Sequence, residues 1–357
     1  MRRWVALLAA VVVAGCYQPA AGVPVAKVSP TVAAASPTPT SDESPPSPSP
    51  TLTATSSPTV VPTMTDLPLS TVSFSCRLPV YQSEARVVDE FLSLPGLTLT
   101  VDGYDGKYYD RAYSRWVPAR REAVSPDGAH YVSIDAADND FVLHVIAVAT
   151  GKDAPIHIPF QAFNGQPYVL DYSADGVYLV NAFEHLLAGL WLVNPSTGQM
   201  RQVSKDIYPV LSAGSGIFWT QAVNPADPKP ILTGTSLGYL PDEIDRVDLR
   251  TGTRTQWLYE PGKGVGVIGL DGRGLPLIVD EGVWPADPNA RLLLVAQPNA
   301  ATSIVSGVIV QSIGGGITDS HGTWLGGQAG VYLYTSSGKL LKVADRPAYA
   351  SLANGCF

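Results

Sequence analysis

Three carboxylates, Asp135, Asp138 and Asp140, fall within six residues of the sequence. Hard cations such as calcium prefer carboxylate oxygens, so this spacing could serve a cation site. The glycine and the bidentate glutamate that complete an EF-hand loop are absent from this stretch. A solvated turn accounts for the three side chains more simply, and we predict no metal and no cofactor for this chain.

The histidines and serines show no catalytic spacing either. The five histidines include no pair four residues apart with a glutamate between them, as a zinc protease would need. Ser215 lacks the first glycine of a nucleophile elbow, because the residue two positions before it is Ala213. We therefore predict no catalytic residue and no nucleophile elbow.

Aromatic side chains alternate with charged ones between residues 104 and 116. Aromatic faces beside charges suit the binding of sugars or peptides, although aromatic residues are also ordinary in strands. The set contains Tyr104, Tyr108, Tyr109, Tyr113 and Trp116, interleaved with Asp105, Asp110, Arg111 and Arg115. A later run, Asp319-Ser320-His321-Gly322-Thr323-Trp324, resembles the Asp-box turn of sialidase-type propellers with one extra residue. That resemblance implies a structural turn away from any active centre.

The N-terminus has the pattern of an export signal. Arg2 and Arg3 precede an apolar run from Trp4 to Val13, which is shorter than the roughly 20 residues that span a bilayer. The ending Val13-Ala14-Gly15-Cys16 resembles the bacterial lipobox, which implies that the Cys16 thiol receives diacylglycerol and becomes the first mature residue. A plain signal peptide is the alternative. We expect a signal peptide at 1–15, a lipid anchor at Cys16 and a location on the outer face of the bacterial cell membrane.

A spacer follows the lipidation site. Residues 17–68 contain 12 of the 31 prolines and 17 serines or threonines, so they have too little apolar surface to offset chain entropy. We predict a disordered linker over 16–68 and a folded domain over 69–357. The remaining cysteines, Cys76 and Cys356, lie near the two ends of that domain. In an exported domain this placement predicts a disulfide between the termini, with two free thiols as the alternative.

The folded region repeats two short elements. One is the turn Ser125-Pro126-Asp127-Gly128, with a degenerate copy at Ser173-Ala174-Asp175-Gly176. The other is an apolar strand ending in Thr-Gly, with its glycine at 151, 198 and 252, which gives spacings of 198 − 151 = 47 and 252 − 198 = 54 residues. Four short strands with their turns occupy about 40 to 50 residues, the size of one propeller blade.

These residues resemble the TolB-like propeller repeat over residues 120–343. The resemblance implies an all-β fold, a single β-propeller with six blades, or seven as the alternative. It also implies that one blade takes strands from both ends of the chain. Thr71–Cys76 and Leu352–Phe357 are the strands that we expect there, with the disulfide locking the ring.

Two further expectations follow from this layout. Residues 82–94 could form a short helix, since Val87, Val88, Phe91 and Leu92 share a helical face. The expected innermost strands contain one carboxylate, Asp171. Those strands are Val124-Ser125, Leu170-Asp171, Val210-Leu211 and Gly269-Leu270.

The charge balance limits the partners. A net charge of −8 and a pI near 5.1 argue against nucleic acid, because phosphate binding needs clustered lysine and arginine. We expect a membrane-anchored module that binds or scaffolds a protein or glycan ligand without catalysis. The alternative is a propeller hydrolase or lyase with carboxylates in its central channel.

Overall fold

The structure is a computed structural model. It describes residues 66–357 except 84–86, 138–139, 160–166, 182–188, 206–209, 215, 225, 227, 229, 234–235, 240 and 282–287. The signal peptide, Cys16 and residues 17–65 of the linker therefore lie outside the described residues. Within the described part, no helix is long and apolar enough to cross a membrane.

Six antiparallel sheets form the six blades of a β-propeller, as the sequence predicts. Blade 1 contains β6 (His130–Ala137), β7 (Asp140–Ala147) and β8 (Asp153–Ile158), and blade 2 contains β9 (Tyr168–Ser173), β10 (Gly176–Asn181), β11 (Gly189–Val193) and β12 (Met200–Ser204). Blade 3 contains β13 (Val210–Gly214), β14 (Ile217–Ala222), β17 (Glu243–Asp248) and β18 (Arg254–Tyr259), with a hairpin of β15 (Pro230–Thr233) and β16 (Ser236–Tyr239) inserted between β14 and β17. Blade 4 contains β19 (Gly264–Leu270), β20 (Pro276–Glu281), β21 (Arg291–Gln297) and β22 (Ala300–Ser306), and blade 5 contains β23 (Ile313–Asp319), β24 (Gly322–Gly327), β25 (Gly330–Thr335) and β26 (Leu340–Ala344).

The sixth blade closes the ring with strands from both ends of the chain. Its order is β27 (Ala350–Leu352), β1 (Cys76–Ser83), β2 (Val87–Leu94) and β3 (Thr98–Tyr104). A hairpin of β4 (Tyr108–Asp110) and β5 (Arg115–Val117) connects this closing blade to blade 1.

The closing strands are shifted from the predicted 71–76 and 352–357. The N-terminal strand begins at Cys76 because its alternating residues Leu78 and Val80 are fully buried against blade 5. It pairs with β27 through Val80 opposite Leu352. Farther along, Phe357 exchanges two backbone hydrogen bonds with Arg77, of 2.8 and 3.1 Å.

The expected helix over 82–94 is wrong, because most of this segment is strand β2. Leu92 packs in the core cluster shared with blade 5. Phe91 packs on the opposite side against Tyr109 and Ala353. A helix would place both side chains on one face, whereas a strand sends them to the two neighbouring cores.

The repeated turns have one geometry. Gly151, Gly198 and Gly252 have φ of 68°, 71° and 71°, a region that glycine adopts without strain. Each donates its N–H to the carbonyl four residues earlier, at 2.8, 2.9 and 2.8 Å. The Thr-Gly signal of the sequence therefore marks the turn between the last two strands of blades 1, 2 and 3.

The two rims of the ring differ. Because neighbouring strands are antiparallel, the inner strand of each four-stranded blade begins at the same rim where its second strand ends and its third strand begins. We call this the loop rim. The opposite turn rim carries short turns such as 174–175 and 320–321.

The N-terminal segment 66–70 adds to the outer edge of blade 5. Leu69 forms a parallel bridge with Lys342, and the Lys342 ammonium donates to both carboxylate oxygens of Asp66 at 3.1 and 2.9 Å. Since β26 runs toward the loop rim and the bridge is parallel, Asp66 lies on the turn-rim side of Leu69.

Candidate functional site

A charged cluster lies where the inner strand of blade 1 is interrupted. Only Val124 pairs with Tyr131 there, and a 3₁₀ turn, Arg121–Ala123, takes the place of the preceding strand residues. The segment after Pro118 carries consecutive charges in place of the alternation that a strand needs. The turn brings the exposed side chains of Arg121 and Glu122 beside Asp171 on the inner strand of blade 2.

Asp171 has a perturbed acidity. Burial and then the negative charge of Glu122 raise the pKa of its carboxyl to about 6, and Arg121 opposes that shift. The carboxyl is therefore half protonated in mildly acid solution. It can donate a hydrogen bond to a ligand below that pH and accept one above it.

Tyr108 and Asn354 extend the cluster into the closing blade. The Asn354 amide donates to the Tyr108 hydroxyl at 3.1 Å and to the Tyr109 carbonyl at 2.8 Å. Burial raises the pKa of Tyr108, and the charge of Arg121 lowers it. Tyr108 of the connecting hairpin, Arg121, Glu122, Asp171 and Asn354 thus lie together where the closing blade meets blades 1 and 2, and we call them the channel cluster.

Glycines recur on the inner strands of blades 4 and 5. Inner strand β19 carries Gly264, Gly266 and Gly269, and inner strand β23 carries Gly314-Gly315-Gly316. The register of β23 shifts between Ile313 and Gly316, and a Cβ added at Gly315 would meet no atom within 4 Å. A ligand can approach the main chain closely here.

Two exposed tyrosines stand at the loop rim above the cluster. Tyr168 begins β9 and is 54 % exposed, and Tyr349 directly precedes β27 and is 56 % exposed. Tyr349 has φ of 53°, a left-handed conformation that costs a tyrosine about 1 to 3 kcal/mol. We call this pair the rim tyrosines. Val308, which precedes β23, adds a third exposed apolar side chain at this rim.

The aromatic segment 104–116 divides between core and surface. Tyr109 is buried and stacks on Phe357 with ring centroids 5.4 Å apart and planes inclined by 6°. Trp116 donates its indole N–H to Asp102 at 2.9 Å. Tyr104 and Tyr113 remain exposed. Tyr109 and Trp116 therefore pack in a small core with Phe91 and Ala353, and Tyr108 contributes its side chain to the channel cluster.

The acidic run has ordinary surface chemistry. Asp135 lies in β6, Asp138 lies outside the described residues, and Asp140 begins β7. The imidazole of His144 is 2.7 Å from Asp153 and 3.6 Å from Asp135. Among the described residues, no group of three or more His, Cys, Asp or Glu side chains could hold a metal ion.

One Gly-x-Ser-x-Gly run does occur, at Gly234-Thr235-Ser236-Leu237-Gly238, against the expectation of none. Ser236 is the first residue of β16, opposite Thr233 in the β15–β16 hairpin. A nucleophile elbow needs a strand followed by a helix, whereas Ser236 begins the second strand of a hairpin.

The terminal cysteines and the Asp-box-like turn meet in one structural unit. Cys76 and Cys356 form the predicted disulfide, with 5.6 Å between their Cα atoms. Asp319 accepts hydrogen bonds from the Trp324 indole and the Cys356 backbone, both at 2.7 Å. These contacts are structural, as the resemblance implies.

A second acidic pair is buried between strands of blade 3. Glu243 and Asp245 lie on one face of β17, and Arg254 of β18 reaches Asp245 while Gln256 donates to Glu243 at 2.7 Å. Burial and the neighbouring Glu243 raise the pKa of Asp245 to about 7, against the effect of Arg254. The pair lies on the third strand of its sheet, away from the channel.

Sequence reasoning identified Asp171 but missed Arg121, Glu122 and Asn354. The available signal was the charged run 120–122, which interrupts the expected inner strand of blade 1. Asn354 carries no local signal, because only ring closure brings the C-terminus beside Tyr109.

No family model and no curated protein matches this chain. Solved structures with a similar arrangement include TolB from Acinetobacter baumannii, at 14 % identity and a TM-score of 0.41 over 78 % of this chain and 67 % of that one. A protein from Lactobacillus plantarum matches at 12 % identity and a TM-score of 0.41, over 79 % and 98 % of the two chains. An oligogalacturonate lyase from Vibrio parahaemolyticus matches at 16 % identity and a TM-score of 0.31, over 62 % of this chain and 63 % of its own, less than two thirds of its length. Scores this low carry no argument about activity, and the propeller assignment rests on the six sheets themselves.

Proposed function

We propose that this chain is a membrane-anchored extracytoplasmic lipoprotein whose propeller binds a protein or cell-envelope ligand at the loop rim of its channel. The observation that carries the binding role is the combination of exposed rim tyrosines with the channel cluster below them. Aromatic side chains give contact area at low entropic cost, and a few polar groups fix the orientation of a ligand.

The anchoring part of this proposal rests on the sequence alone, because Val13-Ala14-Gly15-Cys16 resembles the bacterial lipobox.

The anchor is tested by metabolic labelling with a fatty-acid analogue. The parent chain should incorporate the label and fractionate with membranes, and Cys16→Ser should do neither. If the Cys16→Ser protein still incorporates the label, the lipid is not attached to this residue.

The binding surface is tested by photo-cross-linking in intact cells. A benzoylphenylalanine at Tyr168 should give discrete adducts, and one at Ser337, in an exposed turn at the opposite rim, should give none. Equal adduct patterns at the two positions, or no adduct at Tyr168, would contradict a ligand at the loop rim.

A second candidate function is cleavage of a glycan. It is favoured by one observation, the Asp171 carboxyl with a pKa of about 6 beside Glu122 at the inner edge of the blades. Glycosidases pair a protonated acid with an ionised carboxylate. Release of reducing ends from envelope polysaccharides should then require Asp171 and Glu122, while Asp175→Asn, on the exposed surface, should leave the rate unchanged. Equal rates in Asp171→Asn and the parent would exclude this chemistry.

A further inference from the structure

Three exposed arginines gather at the end of the closing blade that carries the disulfide. Arg77 is the second residue of β1, and its backbone exchanges two hydrogen bonds with Phe357. Arg111 and Arg115 flank the turn of the β4–β5 hairpin, and the guanidinium of Arg111 lies over the Phe357 ring. All three arginines are exposed. We call them the arginine patch, which two elements remote in sequence bring together.

Aromatic rings hold two of the guanidinium groups in place. The guanidinium carbon of Arg77 is 4.1 Å from the centre of the Phe91 ring. That of Arg111 is 5.3 Å from the centre of the Phe357 ring, and the two rings have centroids 6.0 Å apart. A guanidinium that lays its flat face on a ring keeps the N–H groups in its plane available for an oxygen anion. The stacked arginines are therefore suited to bind anions.

The arginine patch has no carboxylate partner in the described part of the chain. Four arginines of blades 3 and 4 do form ion pairs there, namely Arg250, Arg254, Arg273 and Arg291. Arg115 instead donates to the Val148 carbonyl at 2.8 Å. Segment 107–121 contains five basic residues and one acidic residue, the buried Asp110, a net charge of +4 (5 − 1) in a chain whose total is −8. The patch belongs to a positive segment of a negative protein.

Exposed apolar and aromatic side chains adjoin the arginines. Phe357 is 37 % exposed, and Tyr113, in the hairpin turn, is 40 % exposed. Leu97, also 40 % exposed, lies in the turn after β2, whose last residue is opposite the first residue of β1. A soluble polyanion would use only the charges of such a surface. Arginine combined with tyrosine, phenylalanine and leucine is the composition that binds at the headgroup level of a bilayer.

We propose that this end of the closing blade docks on a bilayer that contains anionic phospholipid. The arginine patch contacts the lipid phosphates, and Tyr113, Phe357 and Leu97 enter the headgroup layer. Each arginine at an anionic bilayer surface contributes about fivefold to binding, so the three together contribute about a hundredfold.

This docking goes beyond the proposed ligand binding and is independent of it. Strand β1 is the second strand of its blade, so Arg77 lies at the turn rim, whereas the proposed ligand binds at the loop rim. The docking surface also differs from the lipid anchor, because it requires no acyl chain at Cys16. Either proposal can therefore fail without the other.

Co-sedimentation with vesicles tests the docking on the full chain carrying Cys16→Ser, so that no acyl chain contributes. This protein should bind vesicles of phosphatidylglycerol and phosphatidylcholine at least tenfold more tightly than vesicles of phosphatidylcholine alone. Arg111→Glu should weaken the binding to anionic vesicles at least tenfold, and high salt should do the same. The matched control is Arg201→Glu, an equal charge change at an exposed arginine of β12, which should leave the binding within about twofold.

Residues 1–15 are common to these variants, so their own affinity for lipid cancels in the comparison. Thermal melts check that each variant is folded, as exposed positions should allow. Equal binding by Arg111→Glu and Arg201→Glu would overturn the proposal. Binding of soluble polyphosphate without binding of anionic vesicles would assign the arginines to a polyanion and would also overturn it.

A fluorescent label at Tyr113 locates the contact. Since Cys76 and Cys356 form a disulfide, Tyr113→Cys in the Cys16→Ser chain provides a single free thiol for an environment-sensitive dye. Its emission should shift to the blue when anionic vesicles are added. The same dye at Thr302→Cys, on the exposed outer strand of blade 4, should show no shift. Equal shifts at the two positions, or no shift at position 113, would exclude docking through this end of the closing blade.

Discussion

The Asp319 carboxylate accepts the backbone N–H of Cys356 at 2.7 Å and so joins the end of blade 5's inner strand to the C-terminal tail. The contact is close enough to exclude a side chain between them, since a Cβ added at Gly355 would lie 2.8 Å from the Asp319 Cβ. The same carboxylate holds the Trp324 indole and the His321 backbone, each at 2.7 Å. One residue therefore organises the turn of blade 5 and the seam where the ring closes.

Replacing Asp319 by alanine should destabilise the propeller. The substitution leaves three donors without their acceptor, at about 1 kcal/mol or more for each bond to a charged group. We expect a loss of about 3 kcal/mol and a fall in Tm of roughly 5 to 10 °C, measured by calorimetry. Asp175→Asn, at an exposed pair with Arg250, is the matched control and should change Tm by less than about 2 °C. Equal shifts in the two variants would show that Asp319 does not support the closure.

Removing the Cys76–Cys356 disulfide should destabilise the domain further. The two cysteines are 280 residues apart, and a long closed loop restricts the unfolded chain. Cys76→Ser/Cys356→Ser should lose about 2 to 5 kcal/mol in denaturant unfolding. In the parent chain, unfolded but not reduced, Cys76 and Cys356 should not react with a thiol reagent. Full reactivity of both would mean that the bond is absent.

Asp171 should make stability depend on pH. Its folded pKa of about 6 lies above the ordinary value of 3.8, so the folded state binds more protons than the unfolded state between these values. Stability should then fall as pH rises from about 4 to 6 and stay reduced above that. Asp171→Asn removes the penalty, and its advantage in unfolding free energy should grow from near zero at pH 4 to about 2 kcal/mol at pH 7.

Glu122→Gln tests the second cause of that shift, the charge that acts in addition to burial. Without the negative charge of Glu122, the pKa of Asp171 should fall toward its ordinary value, and carboxyl resonances in ¹³C-labelled protein would report the change. If Asp171 has the same pKa in the parent and in Glu122→Gln, the two residues do not interact and do not belong to one cluster.

The ring itself follows from local signals in the sequence. The glycines at 151, 198 and 252 adopt the left-handed region, and turns of this kind can be recognised in the sequence from the glycine itself and its spacing. Six blades and the terminal disulfide follow from such spacing. The register of the closing strands does not, because the alternation of Leu78 and Val80 becomes informative only when blade 5 is present to bury them.

The channel cluster was less accessible to sequence reasoning. Asp171 stands in a recognisable inner strand, but its raised pKa arises from burial and then from the charge of Glu122, which lies 49 positions earlier (171 − 122) in a 3₁₀ turn. Asn354 meets Tyr108 across 246 residues. Contacts of this range depend on how the blades pack, and no local pattern encodes them.

Arg254 should be essential to blade 3 because it offsets two buried carboxyls. Removing one partner of a buried ion pair leaves an uncompensated charge and costs about 3 to 5 kcal/mol. Arg254→Gln should therefore lower the unfolding free energy by about 3 kcal/mol at pH 8. The pKa of Asp245, already about 7, should rise further without the guanidinium, so the loss should be smaller at pH 5, where the carboxyl is protonated in both proteins.

Denaturant unfolding at the two pH values measures this difference, and the triple variant with Glu243→Gln and Asp245→Asn should recover most of the stability at pH 8. A pH-independent loss would instead assign the role of Arg254 to the packing of its aliphatic stem.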